Sequence, residues 1–308
     1  MRYRVLVTGG AGFIGSNLVE TLVDKNYEVR VLDNFSLGTK RNLKKVEREV
    51  EIIVGDITDI KTVNKVLRDM DYVFHQAAAS SAPMYEPDPR DAVRATLNGF
   101  INVLKAAKEN GVKRVIYASS SSLYGNSPIP HTEDMKIEPI SFYVTSKLAV
   151  EYFAKIYSRY FGLETVGLRY FSVYGPHEKA KGKYANVLSQ FLWKMRGGKR
   201  PVIYGDGTQT RDFTYVEDVV QANLLAMKRK NINGEIFNVG RGERRSFNEI
   251  VEILNEALGT SIEPVYVPNP LNSYVKHTLA DISKIRTILG YEPKIDLREG
   301  IERIKDLE

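Results

Sequence analysis

Short apolar runs alternate with amphipathic stretches through the first half of the chain. Arg4–Val7, Val29–Leu32, Ile52–Val54, Tyr72–Phe74, Val115–Tyr117 and Val166–Leu168 read as strands, several of them apolar at consecutive positions. A strand apolar on both sides is one covered on both faces, as in a parallel sheet flanked by helices. Between the strands, apolar residues recur three and four apart. Over Asp91–Asn110, the positions Val93, Leu97, Ile101, Leu104 and Ala107 mark one continuous helix face. Strands that alternate with helices need crossover connections. The pattern therefore predicts an α/β protein with a doubly wound parallel sheet and helices on both faces.

Near residue 171 the pattern changes. Gly and Pro punctuate the chain more often (Gly175-Pro176, Gly197-Gly198, Gly205-Asp206-Gly207, Pro264, Pro268, Pro270) and the elements shorten. This predicts a first domain over 1–170 and a smaller C-terminal α/β lobe over 171–308, with some later segments returning to the first sheet. No linker or repeat separates the two, so a cleft between them is the expected binding place.

Composition removes several classes of protein. With 308 residues, 43% of them hydrophobic, and with 12 Phe and 18 Tyr, the chain is not disordered. No uncharged apolar run approaches the ~20 residues of a membrane helix. A strand follows Met1 almost at once, without the pattern of a secretory signal. The absence of Cys excludes disulfides, thiolate metal sites and cysteine nucleophiles. A cytoplasmic protein with no membrane association is expected. Lys and Arg number 44 against 38 Asp and Glu, a formal +6, but the signs are interspersed. Even the basic stretch Lys40–Lys45 is diluted by Glu47, Glu49 and Glu51, which predicts a solvated surface and no nucleic-acid partner.

The first chemical signal is Thr8-Gly9-Gly10-Ala11-Gly12-Phe13-Ile14-Gly15, between a strand and the helical stretch Ser16–Asp24. Gly9 permits a tight turn, Gly12 lets a pyrophosphate approach the backbone, and Gly15 allows close helix–strand packing. The anion would sit on the helix N-terminus, as in a Rossmann-type nucleotide fold. The spacing is G-x-x-G-x-x-G, so a merely structural turn stays open on the glycines alone. Asp33, ending the second strand 18 residues after Gly15, adds a carboxylate that would accept from a ribose 2′-hydroxyl and repel a 2′-phosphate. Together they predict NAD rather than NADP.

A second signal is Tyr143-Val144-Thr145-Ser146-Lys147. Tyr and Lys four apart share a helix face, and an ammonium near a phenol lowers its pKa, although such a pair can equally be a solvated face. Upstream, Ser119-Ser120-Ser121-Ser122 follows a strand, where ligands of open α/β sheets bind, or simply forms a polar turn.

Taken as ordered blocks, the chain resembles the extended short-chain dehydrogenase/reductases, specifically the NAD-dependent nucleotide-sugar epimerases and dehydratases, and is most similar to the UDP-glucose 4-epimerases. The matching blocks are TGGAGFIGS (8–16), DN (33–34), GDITD (55–59), HQAAASS (75–81), SSSSLYG (119–125), YVTSK (143–147), LRYFSVYGP (168–176), GDGTQTRDFTYVEDV (205–219), NVG (238–240) and LADISK (279–284). The resemblance implies that Gly9, Gly12, Phe13, Ile14, Gly15, Asp33, Asn34, Asp56, Ile57, Ala77, Ala78 and Lys147 hold NAD. It implies catalysis by Tyr143 as base, with Lys147 and Ser120. It implies a UDP-sugar held by Ser81, Ser120, Ser122, Tyr143, Ser172, Asn186, Tyr204, Arg211 and Thr278, with Asn98 supporting the active-site helix. It also implies a homodimer through the helices at Asp91–Asn110 and Tyr143–Phe161, whose apolar Val93, Phe100, Leu104, Tyr152 and Ile156 fit such a face and equally fit packing on the sheet.

Two positions depart from the family. Ser172 stands where Asn usually contacts the diphosphate, and Pro268–Tyr274 lacks the Arg that usually does so. Lys179, Lys181, Lys183 and Lys276 are the candidate replacements. The dehydratases carry an Asp-Glu pair where this chain has Ser121 and Ser122, and the decarboxylases a Glu; the C3/C5 epimerases need a Cys. The resemblance therefore implies C4 epimerisation of a UDP-hexose (UDP-glucose/UDP-galactose), with the small Thr278 leaving room for UDP-GlcNAc/UDP-GalNAc. Alternatives are an epimerase or reductase of a GDP- or dTDP-sugar, or a non-catalytic NAD-binding protein. His75 and His177 have no second ligand at helical spacing and predict no metal.

Overall fold

The computed structural model describes residues 2–269 and 274–307. Pro270–Ser273, within the stretch that lacks the family's Arg, lie outside the described residues. The strands of the first half are β1 (Arg4–Thr8), β2 (Glu28–Asp33), β3 (Val50–Val54), β4 (Tyr72–His75), β5 (Arg114–Ser120) and β6 (Glu164–Tyr170). In the second half come β7 (Val173–Tyr174), β8 (Val202–Tyr204), β9 (Thr210–Arg211), β10 (Thr214–Tyr215), β11 (Ile236–Val239), β12 (Arg245–Ser246) and β13 (Val265–Val267). Seven of these form one sheet in the order β11-β6-β5-β4-β1-β2-β3, every pairing parallel. The chain reverses direction of travel between β1 and β4, and the carboxyl ends of those strands open the crevice in which such sheets bind ligands.

The helices are α1 (Phe13–Asp24), α2 (Ile60–Val66), α3 (Pro89–Val93), α4 (Gly99–Glu109), α5 (Phe142–Tyr160), α6 (Val187–Arg196), α7 (Val216–Lys228), α8 (Phe247–Leu258), α9 (Ser283–Leu289) and α10 (Leu297–Ile304). One face of the sheet packs Val5, Val7, Ile116 and Val166 with Leu18 and Leu22 of α1 and Val219 and Val220 of α7. The other packs Leu6, Val73, Val115 and Tyr117 with α2, α4 and α5. Because helices cover both faces, consecutive strand residues are apolar, as the sequence pattern predicts. The C-terminal lobe has its own core of Leu188, Leu192, Ile203, Ile250, Leu254 and Ile301.

The seam at residue 170 is crossed in several places. β11 pairs with β6, Ile236 opposite Gly167 and Val239 opposite Tyr170. Arg114 of β5 donates through Nη1 to the carbonyls of Ala226 (2.6 Å), Met227 (3.1 Å) and Arg229 (2.6 Å), satisfying the end of α7. Asp212 is fully buried and accepts from the backbone N–H groups of Arg241 (2.8 Å), Gly242 (3.0 Å) and Ala280 (3.1 Å).

The helix expected over Asp91–Asn110 is interrupted. Between α3 and α4 the chain makes a wide π turn over Arg94–Asn98. A single inserted residue keeps apolar positions three or four apart on either side, so periodicity does not show it. The turn buries Thr96 and leaves Asn98 exposed. Support at this point comes from Thr96, whose Oγ1 accepts from Ala79 N (3.3 Å) and meets the Tyr85 hydroxyl at 2.7 Å. Asn102 adds to it, donating to the carbonyls of Ile57 and Thr58 at 3.0 Å each.

Candidate active site

A cavity of about 690 Å³ runs from the carboxyl ends of β1 and β2 across to the C-terminal lobe. At one end lies the glycine turn. Gly9 has φ +68°, and a Cβ there would stand 2.7 Å from Ala77 N. A Cβ at Gly15 would stand 2.1 Å from the Gly9 carbonyl oxygen. At Gly12 an added Cβ meets only that same oxygen, at 3.1 Å, and otherwise faces open space. The turn is closed at its two outer glycines and open at the middle one, directly before the unpaired N–H groups of α1. That is the shape a pyrophosphate needs, so the residues fit a dinucleotide.

Asp33, 7% exposed at the end of β2, accepts from Ala11 N (2.9 Å) and Phe35 N (2.7 Å). Burial pushes its carboxyl pKa up, against the pull of those two N–H groups. Each oxygen keeps a lone pair for a ribose hydroxyl. Beside it Asn34 donates to Asp56 (2.8 Å), whose other oxygen takes Thr58 N (2.8 Å) and Thr58 Oγ1 (2.7 Å). Ile57 closes this end, and Ala77 and Ala78 form the facing wall.

Farther along the cavity β5 delivers Ser120, and α5 brings Tyr143 and Lys147 up against it. Tyr143 is 6% exposed, its hydroxyl beside that of Ser120; Lys147 is 5% exposed and donates to the Ala118 carbonyl at 3.0 Å. Burial pushes the Tyr143 phenol up to about 12 and outweighs the Ser120 hydrogen bond. Burial pushes the Lys147 ammonium down to about 8, opposed by Glu151. The expected depression of the Tyr143 pKa is not seen, because desolvation of the phenolate exceeds the pull of the Ser120 hydroxyl.

Ser122 and Ser81 line the same cavity, and Ser81 Oγ is buried with no hydrogen-bond partner. Ser172 and Asn186 line it from the C-terminal lobe. Asn186 caps α6 by accepting from Leu188 N (3.0 Å) and donates to the Val173 carbonyl (3.1 Å). Of the four lysines named above, Lys181 lines the cavity, its Nζ 5.9 Å from the centre of the Phe13 ring.

Three expected substrate residues lie elsewhere. Thr278 is 5% exposed and is used internally: its Oγ1 accepts from Asp212 N (3.2 Å) and its N–H donates to the Thr210 carbonyl (3.1 Å). It does not line the cavity. Arg211 donates to the carbonyls of Thr210, Val275 and Lys276, its guanidinium between the rings of Phe247 (5.4 Å) and Tyr274 (5.6 Å). Tyr204 is 41% exposed on β8. Gln76, Met84, Arg94 and Tyr170, none of them a candidate from sequence, also line the cavity. Gln76 and Tyr170 fall inside blocks already noted, and Tyr170 donates to Asn223 at 3.2 Å. Among the described residues no three His, Asp or Glu could hold a metal ion, and no helix is long and apolar enough to cross a membrane.

Comparison with known proteins agrees with this geometry. Residues 5–240 match the model of the NAD dependent epimerase/dehydratase family. A putative UDP-glucose 4-epimerase of Methanocaldococcus jannaschii is 38% identical, over 97% of this chain and 96% of its own. The structure of UDP-glucose 4-epimerase from Thermotoga maritima with UDP-glucose superposes with TM-score 0.93 at 35% identity, covering 98% of this chain and 97% of that one. UDP-N-acetylglucosamine 4-epimerase from Methanobrevibacter ruminantium, in complex with UDP-N-acetylmuramic acid, gives TM-score 0.93 at 35% identity, covering 99% and 98%. The chain belongs to the NAD dependent epimerase/dehydratase family, and its cofactor is NAD.

Proposed function

We propose that this enzyme inverts C4 of a UDP-hexose, interconverting UDP-glucose and UDP-galactose through a 4-keto sugar. The observation that carries the reading is the Ser120–Tyr143 hydroxyl pair, backed by Lys147, at a cavity end where the next residues are Ser121 and Ser122 and not carboxylates. Such a site handles one proton at one oxygen and lacks the extra acid and base that eliminating water requires. The relatives named as UDP-glucose 4-epimerases support it.

When bound, NAD supplies the acceptor and then the donor of a hydride and adds positive charge to the site. In this reading the turn Gly9–Gly15 and the backbone of Phe13 and Ile14 carry its pyrophosphate. Asp33 takes the adenosine ribose, Asn34, Asp56 and Ile57 flank the base, and Ala77, Ala78 and Lys147 line the rest. Tyr143 as phenolate removes the proton from the C4 hydroxyl, with Ser120 hydrogen-bonded to the same oxygen. Ser81 and Ser122 meet the sugar hydroxyls. Asn186, Ser172 and Lys181 hold the diphosphate while the hexose ring turns over to present the other face of C4, and Tyr143 then returns the proton to the C4 oxygen.

Purified protein given UDP-galactose and no added cofactor should yield UDP-glucose, resolved by chromatography or NMR. No conversion even with NAD supplied would move the reading to another nucleotide sugar. Tyr143→Phe should lower turnover by at least about a thousandfold and keep its NAD. Loss of NAD from that variant would remove Tyr143 from the role of base. We also propose a homodimer built on α5, where Tyr152, Ile156, Tyr160 and Phe161 are exposed.

A further inference from the structure

We propose that Glu151, one helical turn beyond Lys147 on α5, is a positioning residue for the catalytic set: it fixes the end of β5 that serves Lys147 and Tyr143, and it keeps an anion behind the Lys147 ammonium. The inference rests on the proposed function only for what the positioned groups do.

Glu151 and Arg169 are 5% and 4% exposed and form a two-point ion pair, Nε to Oε1 at 2.8 Å and Nη2 to Oε2 at 2.7 Å. Glu151 Oε1 also accepts from Ser119 Oγ at 2.6 Å. Ser119 and Arg169 are direct partners in the pairing of β5 with β6. Glu151 therefore clamps both strands from above at that register. The residue before Ser119 gives Lys147 its carbonyl partner, and the residue after it is Ser120. Arg169 is held in turn, through Nη1, by the Tyr124 hydroxyl (2.8 Å), which donates to Asn238 Oδ1 (2.6 Å).

A buried ion pair is a weak way to gain stability, since well-packed apolar side chains of the same volume usually do as well or better. What it supplies here is direction and charge. The groups facing Lys147 and Glu151 are Tyr143 on the same helix, His75 of β4, Tyr117 of β5, Arg169 of β6, and Tyr124 and Glu133 behind Arg169. Burial holds His75 neutral, down to about 3, and holds the tyrosines neutral by pushing them up. The anion felt at Lys147 is Glu151.

The test is an NMR titration of protein labelled at lysine 13Cε, with the Lys147 signal assigned by its loss in Lys147→Arg. This readout needs no substrate, so it stands even if UDP-galactose is not turned over. In Glu151→Gln the Lys147 midpoint should fall by about one pH unit. Glu151→Gln with Arg169→Gln, which removes the two ion-pair partners together, should move it the same way. Ser119→Ala keeps both charges, so the midpoint should stay while kcat drops about tenfold at unchanged KM. An unmoved midpoint in whichever glutamine variant folds, or an unaltered kcat in Ser119→Ala, overturns the proposal.

Discussion

The ring of Tyr85 stands edge-on to that of Tyr143, centroids 5.7 Å apart and planes at 65°, while its hydroxyl meets Thr96 in the π turn at 2.7 Å. One side chain thus links the wide turn of the α3–α4 segment to the proposed base. Tyr85→Phe should cost about 1 kcal/mol of stability through the lost hydrogen bond and only a few-fold in kcat. Tyr85→Ala should cost about 3–5 kcal/mol and far more activity, because the Tyr143 ring loses its neighbour. Urea unfolding beside initial rates would separate the two effects, and equal rates in Tyr85→Ala and native protein would refute the link.

Lys181 is the cation that the geometry offers where the chain lacks the family's Arg. Lys181→Ala should raise KM for the UDP-sugar about tenfold, about 1.4 kcal/mol, with bound NAD unchanged and Lys181→Arg close to native. A loss of NAD instead of a rise in KM would assign this cation to the cofactor's own diphosphate.

His75 is 4% exposed, its Nδ1 2.8 Å from Thr8 Oγ1, and burial pushes its pKa down to about 3. The unfolded chain titrates near the ordinary value of about 6.5, so between the two values the unfolded state binds the extra proton. This contribution to stability is complete above pH 6.5 and is lost as pH falls toward 3. By pH 5 about 2 kcal/mol of it has been lost. His75→Asn should lose less stability between pH 7 and pH 5 than the native protein does. Parallel slopes in urea melts at the two pH values would contradict the assignment.

Tyr152 and Tyr160, eight residues apart on α5, are 61% and 72% exposed. If this face pairs two copies, Tyr152→Glu with Tyr160→Glu should sediment as a single chain while the native protein sediments as two. A native protein that already sediments as one chain ends the dimer proposal.

Much of this was legible in the residues because it is written in local chemistry. Six strands, the glycine turn and the Tyr143/Lys147 pair each depend on a few neighbours in sequence. What sequence left open depends on distant partners. Phe100 and Leu104 fit a dimer face on a helical wheel, yet both are fully buried against the sheet, where the turn over 94–98 rotates them. Tyr152 and Ile156 share the pattern and lie outside. Thr278 looked like a gate because it is small; the buried Asp212 backbone, some 66 residues away in sequence, claims its hydroxyl.

The strand Ile236–Val239 completes the sheet beside Tyr170, and the Arg114 fork closes on carbonyls at 226–229. Residues 1–170 therefore hold every residue of the proposed catalytic triplet, but without the later chain they present an open sheet edge at Glu164–Tyr170 and leave Arg114 with Glu164 alone to donate to, its Nη1 having lost three carbonyl acceptors. The strand that completes the dinucleotide-binding sheet is thus supplied by the later half of the chain, so a cut at residue 170 would take one strand from the sheet and three acceptors from Arg114.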